Sequence, residues 1–143
     1  MFVYDFVTLD RPFGVVVECL TADPGDGLLG RAVAATSARL DSKNGHSHPG
    51  ELEVGAPRSF EDTVMVPIRW TPRSWRGPFE RLDGFIQVSP FDPDGSHLSV
   101  SASCDELRTG LGRRRDSQRL QRQAEAGVRV LLRELAAAIE QDD

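Results

Sequence analysis

TVMVPIRW, residues 63–70, places Val64, Val66, Ile68 and Trp70 at every second position, the spacing at which a pleated strand turns one row of side chains toward a dry face. The same period runs outward on both sides. ELEV (51–54) opens it, LDGFIQVS (82–89) aligns Leu82, Ile86 and Val88 with Gly84 between them, and HLSVSASC (97–104) sets Leu98, Val100, Ala102 and Cys104 against Ser99, Ser101 and Ser103. These runs predict an antiparallel sheet with one dry and one wetter face. DPDG at 92–95 is turn chemistry, so the last two strands are expected to form a hairpin.

Before Gly50 the pattern differs. FVYDFVTL (2–9) is aromatic and β-branched and stops at Asp10-Arg11-Pro12, which reads as a strand ended by a turn. PFGVVVECL is open to two readings, because Val15 to Val17 favour a strand while Pro12 suits a helix start; the proline is given the greater weight and a short helix is expected. Within 23–40, Asp26 is a cap candidate and Leu28, Leu29, Ala32, Val33 and Leu40 follow at helical spacing, predicting a second short helix. DSKNGHSHPG (41–50) has loop composition.

After the last strand, a stripe of Leu120, Ala124, Val128, Leu131, Leu135 and Ala138 or Ile139 predicts one long amphipathic helix from about Asp116 to Ile139. The order is strand, two short helices, a run of antiparallel strands and a long helix: an α+β pattern, with helices gathered on one face of a sheet. At 143 residues this is a single domain, 1–143, large enough to bury a core of its own.

Composition narrows the function classes. The net charge of -5 disfavours non-specific nucleic-acid binding, which draws its affinity from a basic face. No apolar run approaches the roughly 20 residues of a bilayer-spanning helix, and MFVYDFVTLDRP has no basic leader region, so a cytoplasmic protein without membrane insertion is expected. Cys19 and Cys104 stand far apart with no CxxC, and are expected to be buried, reduced thiols.

Arginines crowd GLGRRRDSQRLQR (110–122). Arg115, Arg119, Arg122, Arg129 and Arg133 fall on positions left over by the apolar stripe, interleaved with Asp116, Glu125, Glu134 and Glu140, which is the pattern of a solvated helix face. Arg108, Arg113, Arg114 and Arg115 gather near the N-terminal end, where the helix dipole disfavours cations. An anionic ligand or partner would accept them there, and Arg113, Arg114 and Arg115 are the candidates for that contact.

Three phrases, VMVPIRWTP (64–72), PFERLDGFIQVSPFDPDGSHLSVSAS (78–103) and GLGRRRDSQRLQRQAEAGVRVLLREL (110–135), resemble in content and order those of the START-like, or SRPBCC, superfamily. Related bacterial sequences carry a VPLRW-like strand core, an FPxLDGxLxLxPL hairpin and an LGRxxDxxxLxRxAExxxRxLL helix. The resemblance implies a helix-grip fold: a curved antiparallel sheet wrapped around the C-terminal helix, with an apolar cavity that in many relatives holds lipids, sterols, polyketides or plant hormones. The chain departs from the family in showing five strands by periodicity where relatives have six or seven. Either the sheet is short or weak strands lie within 53–62. The family carries no shared catalytic motif.

Chemical motifs are sparse. His46 and His48 form an HxH without a third ligand, so no metal site is expected. No GxSxG, phosphate-binding or dinucleotide loop occurs, and no cofactor is expected. His97, at a strand start, is expected to face water. Asp5, Glu18, Asp83 and Arg69 are the ionisable groups nearest the sheet, and Arg69 with Asp83 is expected to form a cross-strand surface pair. Trp70 and Trp75 flank a loop, either guarding a cavity mouth or packing beneath it.

Three functions stay open at this point. The first is non-catalytic binding of a small apolar or amphipathic molecule, lipid-like or polyketide-like, in a cavity lined by Val66, Ile68, Trp70, Leu82, Ile86, Val88, Leu98, Val100, Val128 and Leu131. The second is an aromatase/cyclase-type enzyme, which needs an ionisable group inside. The third is a protein-interaction module without a cavity, which predicts a filled core together with an exposed apolar patch or an oligomer.

Overall fold

A computed structural model describes residues 1–22, 27–40, 50–72, 81–105 and 113–141, with the backbone alone at 113–117. Among the described residues nine elements follow one another: β1 (Phe2–Leu9), α1 (Phe13–Thr21), α2 (Leu28–Leu40), β2 (Glu51–Val54), β3 (Arg58–Phe60), β4 (Thr63–Thr71), β5 (Arg81–Asp92), β6 (Gly95–Asp105) and α3 (Arg113–Gln141). The strands form one antiparallel sheet in the order β1-β6-β5-β4-β2, with β3 also paired to β4. The α+β helix-grip architecture expected from the sequence is the one observed.

The sixth strand, β3, is three exposed residues without an apolar rhythm, which is why periodicity does not reveal it. Its separation from β2 has a cause in β4. The Pro67 carbonyl accepts from Gly55 N–H at 2.8 Å, so the Pro67 nitrogen, which has no proton, faces the same side. A proline there cannot donate to a neighbouring strand, and the partner chain divides around it into β2 and β3.

Element ends also shift. Pro12 takes the N-cap position of α1 with extended backbone, its carbonyl accepting from Val16 N–H. The β5–β6 hairpin runs to Asp92 and resumes at Gly95, leaving Pro93 and Asp94 as a two-residue turn beside an irregularity at Pro90 to Asp92. Helix α3 begins at Arg113, three residues before the stripe shows it, because its first turn carries arginines in place of apolar residues. Asp26, His46, His48, Trp75 and Arg108 lie outside the described residues, and so do the side chains of Arg113, Arg114 and Arg115. No helix among the described residues is long and apolar enough to cross a membrane.

Helix α3 lies against α2, β1 and β6 and approaches β4 and β5 less closely, while α1 packs on β5 and β6. Its stripe of Ala124, Val128, Leu131, Leu135 and Ile139 is fully buried, joined by Leu132, which widens it. The free edge of β1 is covered in part. Met1 exchanges backbone hydrogen bonds with Cys104, so by antiparallel alternation the N–H and C=O groups of Phe2, Tyr4 and Phe6 point away from β6. On that side Gln121 Nε2 of α3 donates to the Phe2 carbonyl at 3.3 Å, and the Phe6 N–H donates to Asp5 Oδ1 at 2.8 Å. These two occupied groups hinder strand addition at their positions.

Candidate interior site between sheet and helix

Register assembles the inner face in cross-strand rows. Val66, Ile86 and Val100 align across β4, β5 and β6; so do Val64, Val88 and Leu98; Trp70, Leu82 and Cys104 form a third row. The fourth is Ile68, Gly84 and Ala102, and glycine is required at its centre. A Cβ on Gly84 would stand 2.1 Å from the Ser101 carbonyl oxygen and 2.8 Å from the Ala102 Cβ. The LDG phrase therefore marks a place where β5 and β6 approach too closely for any side chain.

All ten residues named from the sequence as a cavity lining lie in one buried cluster. Leu82, Ile86, Val88, Leu98, Val100, Val128 and Leu131 are 0% exposed, and Val66, Ile68 and Trp70 are 1 to 4% exposed. A side chain beside an empty space large enough for water would present surface to that space. These side chains are instead enclosed by protein atoms, as in a close-packed core.

Polar groups are placed around this interior. The buried polar residues among those described are Thr36, Ser37, Ser96 and Ser99. Thr36 donates to the Ala32 carbonyl and Ser96 to that of Arg11, while the Ser37 hydroxyl has no partner. Asp5 has inward register on β1, opposite Val100, but its carboxylate turns to the rim, with Oδ2 3.5 Å from Arg129 Nε. Glu18 is exposed on α1. Arg69 and Asp83 pair across the strands at 2.6 Å on the outer face, and that hydrogen bond, followed by the Asp83 charge, raises the Arg69 pKa. Arg119, Arg122, Arg129 and Arg133 are exposed on α3, as the solvated-face reading requires. Among the described residues no group of His, Cys, Asp and Glu could hold a metal ion.

The thiols divide. Cys104 is buried, and loss of hydration pushes its pKa up to about 11; Cys19 is only half-buried, contrary to the expectation for both. His97 is also half-buried, its ring stacked on Phe6 with centroids 4.8 Å apart.

Two recesses open on the surface away from the interior. One, of about 500 Å³, lies on the outer sheet face around Gly55, Pro67, Arg69, Asp83 and Phe85. The other, of about 480 Å³, lies between α2 and α3 and is flanked by the Arg39–Glu134 ion pair.

The feature that periodicity left unassigned is the outer row of β1. Phe2, Tyr4 and Phe6 are 66%, 53% and 50% exposed, while Val3 and Leu9 are buried. Both rows of this strand are largely apolar, and the inward one carries Asp5, so alternation alone does not say which one faces the core. The signal in the sequence is Asp10-Arg11-Pro12, which ends the strand just after Leu9.

No protein-family model matches the chain, and no curated protein matches it. Solved structures do. A crystal structure of a protein from Thermus thermophilus superposes with a TM-score of 0.58 at 12% identity, covering 98% of this chain and 97% of that one. An aromatase/cyclase from Streptomyces sp. R1128 superposes with a TM-score of 0.51 at 12% identity, covering 99% of this chain and 94% of that one. At such identities the likeness is one of fold, end to end, and the fold of this chain is the helix-grip.

Proposed function

We propose that this chain is a single-domain, non-catalytic binding protein for a small apolar or amphipathic molecule, lipid-like or polyketide-like, taken up between the inner sheet face and α3. The observation that carries the reading is the continuity of the apolar rows of β4, β5 and β6 with the stripe of α3, without a buried acid, base or imidazole among the described residues. A surface of that kind favours an apolar guest and offers it no proton donor or acceptor. The fold is similar to that of an aromatase/cyclase.

The interior is closed, so entry requires movement. Helix α3 holds to β1, β6 and α2 and is less closely joined to β4 and β5. Separation on that side opens the rows of Val66, Ile68, Trp70, Leu82, Ile86 and Val88 to a ligand. Native mass spectrometry of the purified protein, compared with its denatured mass, tests the reading. A small molecule that is carried through purification and leaves on denaturation is the expected result. A clean mass, together with no thermal shift from fatty acids or polycyclic aromatic phenols, defeats it. As a residue-level check, Ile86→Phe and Val100→Phe should abolish binding and, since both positions are fully enclosed, each should also cost about 1–3 kcal/mol of stability.

A second reading, a protein-interaction module, is favoured by the filled interior and the exposed aromatic row on β1.

A further inference from the structure

The sheet has two edges, and they end differently. At β1 the Phe2 carbonyl and the Phe6 N–H are occupied by Gln121 and Asp5. At the other edge stands β2, last in the strand order. Gly55 N–H donates to the Pro67 carbonyl of β4, so by antiparallel alternation Glu53 and Glu51 also turn their backbone groups toward β4. The N–H and C=O groups of Leu52 and Val54 therefore point out from the edge, and no described residue bonds them.

The inner face is unfinished at the same place. Two of its rows, Cys104-Leu82-Trp70 and Ala102-Gly84-Ile68, continue through register to Leu52 and Val54. Trp70 and Ile68 are buried, whereas Leu52 and Val54 are only half-buried. A further strand alongside β2 would satisfy the open backbone groups and cover the outer flank of these two side chains.

Charge decides what kind of chain that strand is. From Glu51 to Asp62 there are four carboxylates, those of Glu51, Glu53, Glu61 and Asp62, against one cation, Arg58. Glu53 reaches Arg69 only at 3.9 Å, while Arg69 is held by Asp83 at 2.6 Å. Glu51 forms no ion pair among the described residues. A second copy does not suit this edge: the two-fold antiparallel registers that pair most of β2 set Glu53 opposite Glu53 or Glu51 of the other copy, and like charges directly opposite are destabilising. Beyond Val54 the outer face has no side chain at Gly55, and the recess of about 500 Å³ opens there, with Glu53, Asp83, Pro67 and Phe85 in its lining. A long basic side chain suits such a recess, its stem on the apolar rings and its head at the carboxylates.

From these observations we infer that the free edge of β2 binds an extended, basic segment of a partner protein by strand addition. Apolar residues of that segment lie beside Leu52 and Val54, and lysine or arginine lies beside Glu51, Glu53 and Gly55.

The test uses the full chain and a fluorescein-labelled octapeptide of alternating lysine and valine, acetylated and amidated at its ends. Fluorescence anisotropy should show saturable binding, and the corresponding glutamate and valine peptide should bind at least about tenfold more weakly. Amide exchange followed by NMR should slow selectively at Leu52 and Val54 when the unlabelled peptide is added. Two changes separate strand addition from charge attraction alone. Val54→Pro removes one outward donor and leaves the β2–β4 hydrogen bonds in place. N-methylation of the peptide's valine nitrogens removes the donors that face β2, whereas methylation of its lysine nitrogens alters only the far edge. The first two should each weaken binding at least about tenfold, and the third should change it less than about twofold. Circular dichroism and thermal melting verify that Val54→Pro is folded; if it is not, the methylated peptides carry the test on the wild type. Absence of saturable binding overturns the inference, and so does binding that the two methylations weaken alike. Protection of Leu52 and Val54 that rises with protein concentration without peptide assigns the edge to a second copy and overturns it too. The readout is independent of any small molecule bound inside.

Discussion

Single side chains in this molecule are explained by what their neighbours leave them. Gly84 has no room for a methyl group, because the nearest atoms belong to the backbone of β6 and cannot rotate away. Gly84→Ala should therefore cost at least about 2 kcal/mol, in the range of changes that force a backbone shift in a packed core. Urea unfolding measures it, and a loss below about 0.5 kcal/mol would mean that the two strands are not this close. Cys104 makes a separate prediction through pH. Its folded pKa, about 11, lies above the ordinary 9.0 because burial penalises the thiolate. Since the folded state holds the proton more tightly, the contribution to stability is fully present below pH 9 and is lost as pH rises toward 11. Melting temperatures followed over that window should fall less steeply for Cys104→Ala than for the wild type. If the two profiles fall in parallel, other groups govern the alkaline loss.

Among the elements, β1 and α3 depend on each other most. The Gln121 contact to the Phe2 carbonyl and the Asp5–Arg129 pair tie the helix along the strand edge. At the helix's other end, Arg11 Nη1 donates to the Ile139 carbonyl at 2.5 Å while the Arg11 carbonyl accepts from Ser96. A guanidinium on one of the last carbonyls of a helix satisfies an acceptor that has no partner within the helix and complements the dipole. Arg11→Ala is expected to cost about 1 kcal/mol, and amide exchange should quicken selectively in the last turns of α3. Uniform quickening across the sheet would show that the contact does not act on the helix end. These ties were not legible in the sequence, because each joins residues more than 80 positions apart in the chain. The elements themselves were legible wherever a period had a polar counterpart: the serines of β6 and the charges of α3 identify the dry face by contrast. β3 has no dry face, and the first turn of α3 no apolar residue, so periodicity could mark neither.

For the molecule as a whole, the sequence identifies which residues form the interior but not how much free volume they leave. Val66, Ile86 and Val100 share a row because register and period place them there; whether they touch one another or a guest depends on the distance of α3 from β4 and β5. That distance is set by long-range contacts such as those of α3 with β1 and α2. In the closed form the row is filled, so a ligand can enter only a conformer in which α3 has already moved away from that half of the sheet. The kinetics of uptake should show this order of events. With an amphipathic fluorescent probe such as anilinonaphthalene sulfonate in stopped flow, the observed rate should level off at high probe concentration, at the rate of opening. Leu131→Ala removes packing from the closed form, at a cost of about 2–5 kcal/mol. Because that contact is lost when the helix separates, the same variant should raise the plateau and should raise the slope at low concentration at least as much, since the slope follows the opening equilibrium. A rate that rises linearly without limit would mean that the probe binds a surface already exposed, either the aromatic face of β1 or one of the open recesses. Tyr4→Thr/Phe6→Thr would then abolish the signal in the first case and leave it intact in the second, which locates the binding surface without a second structure.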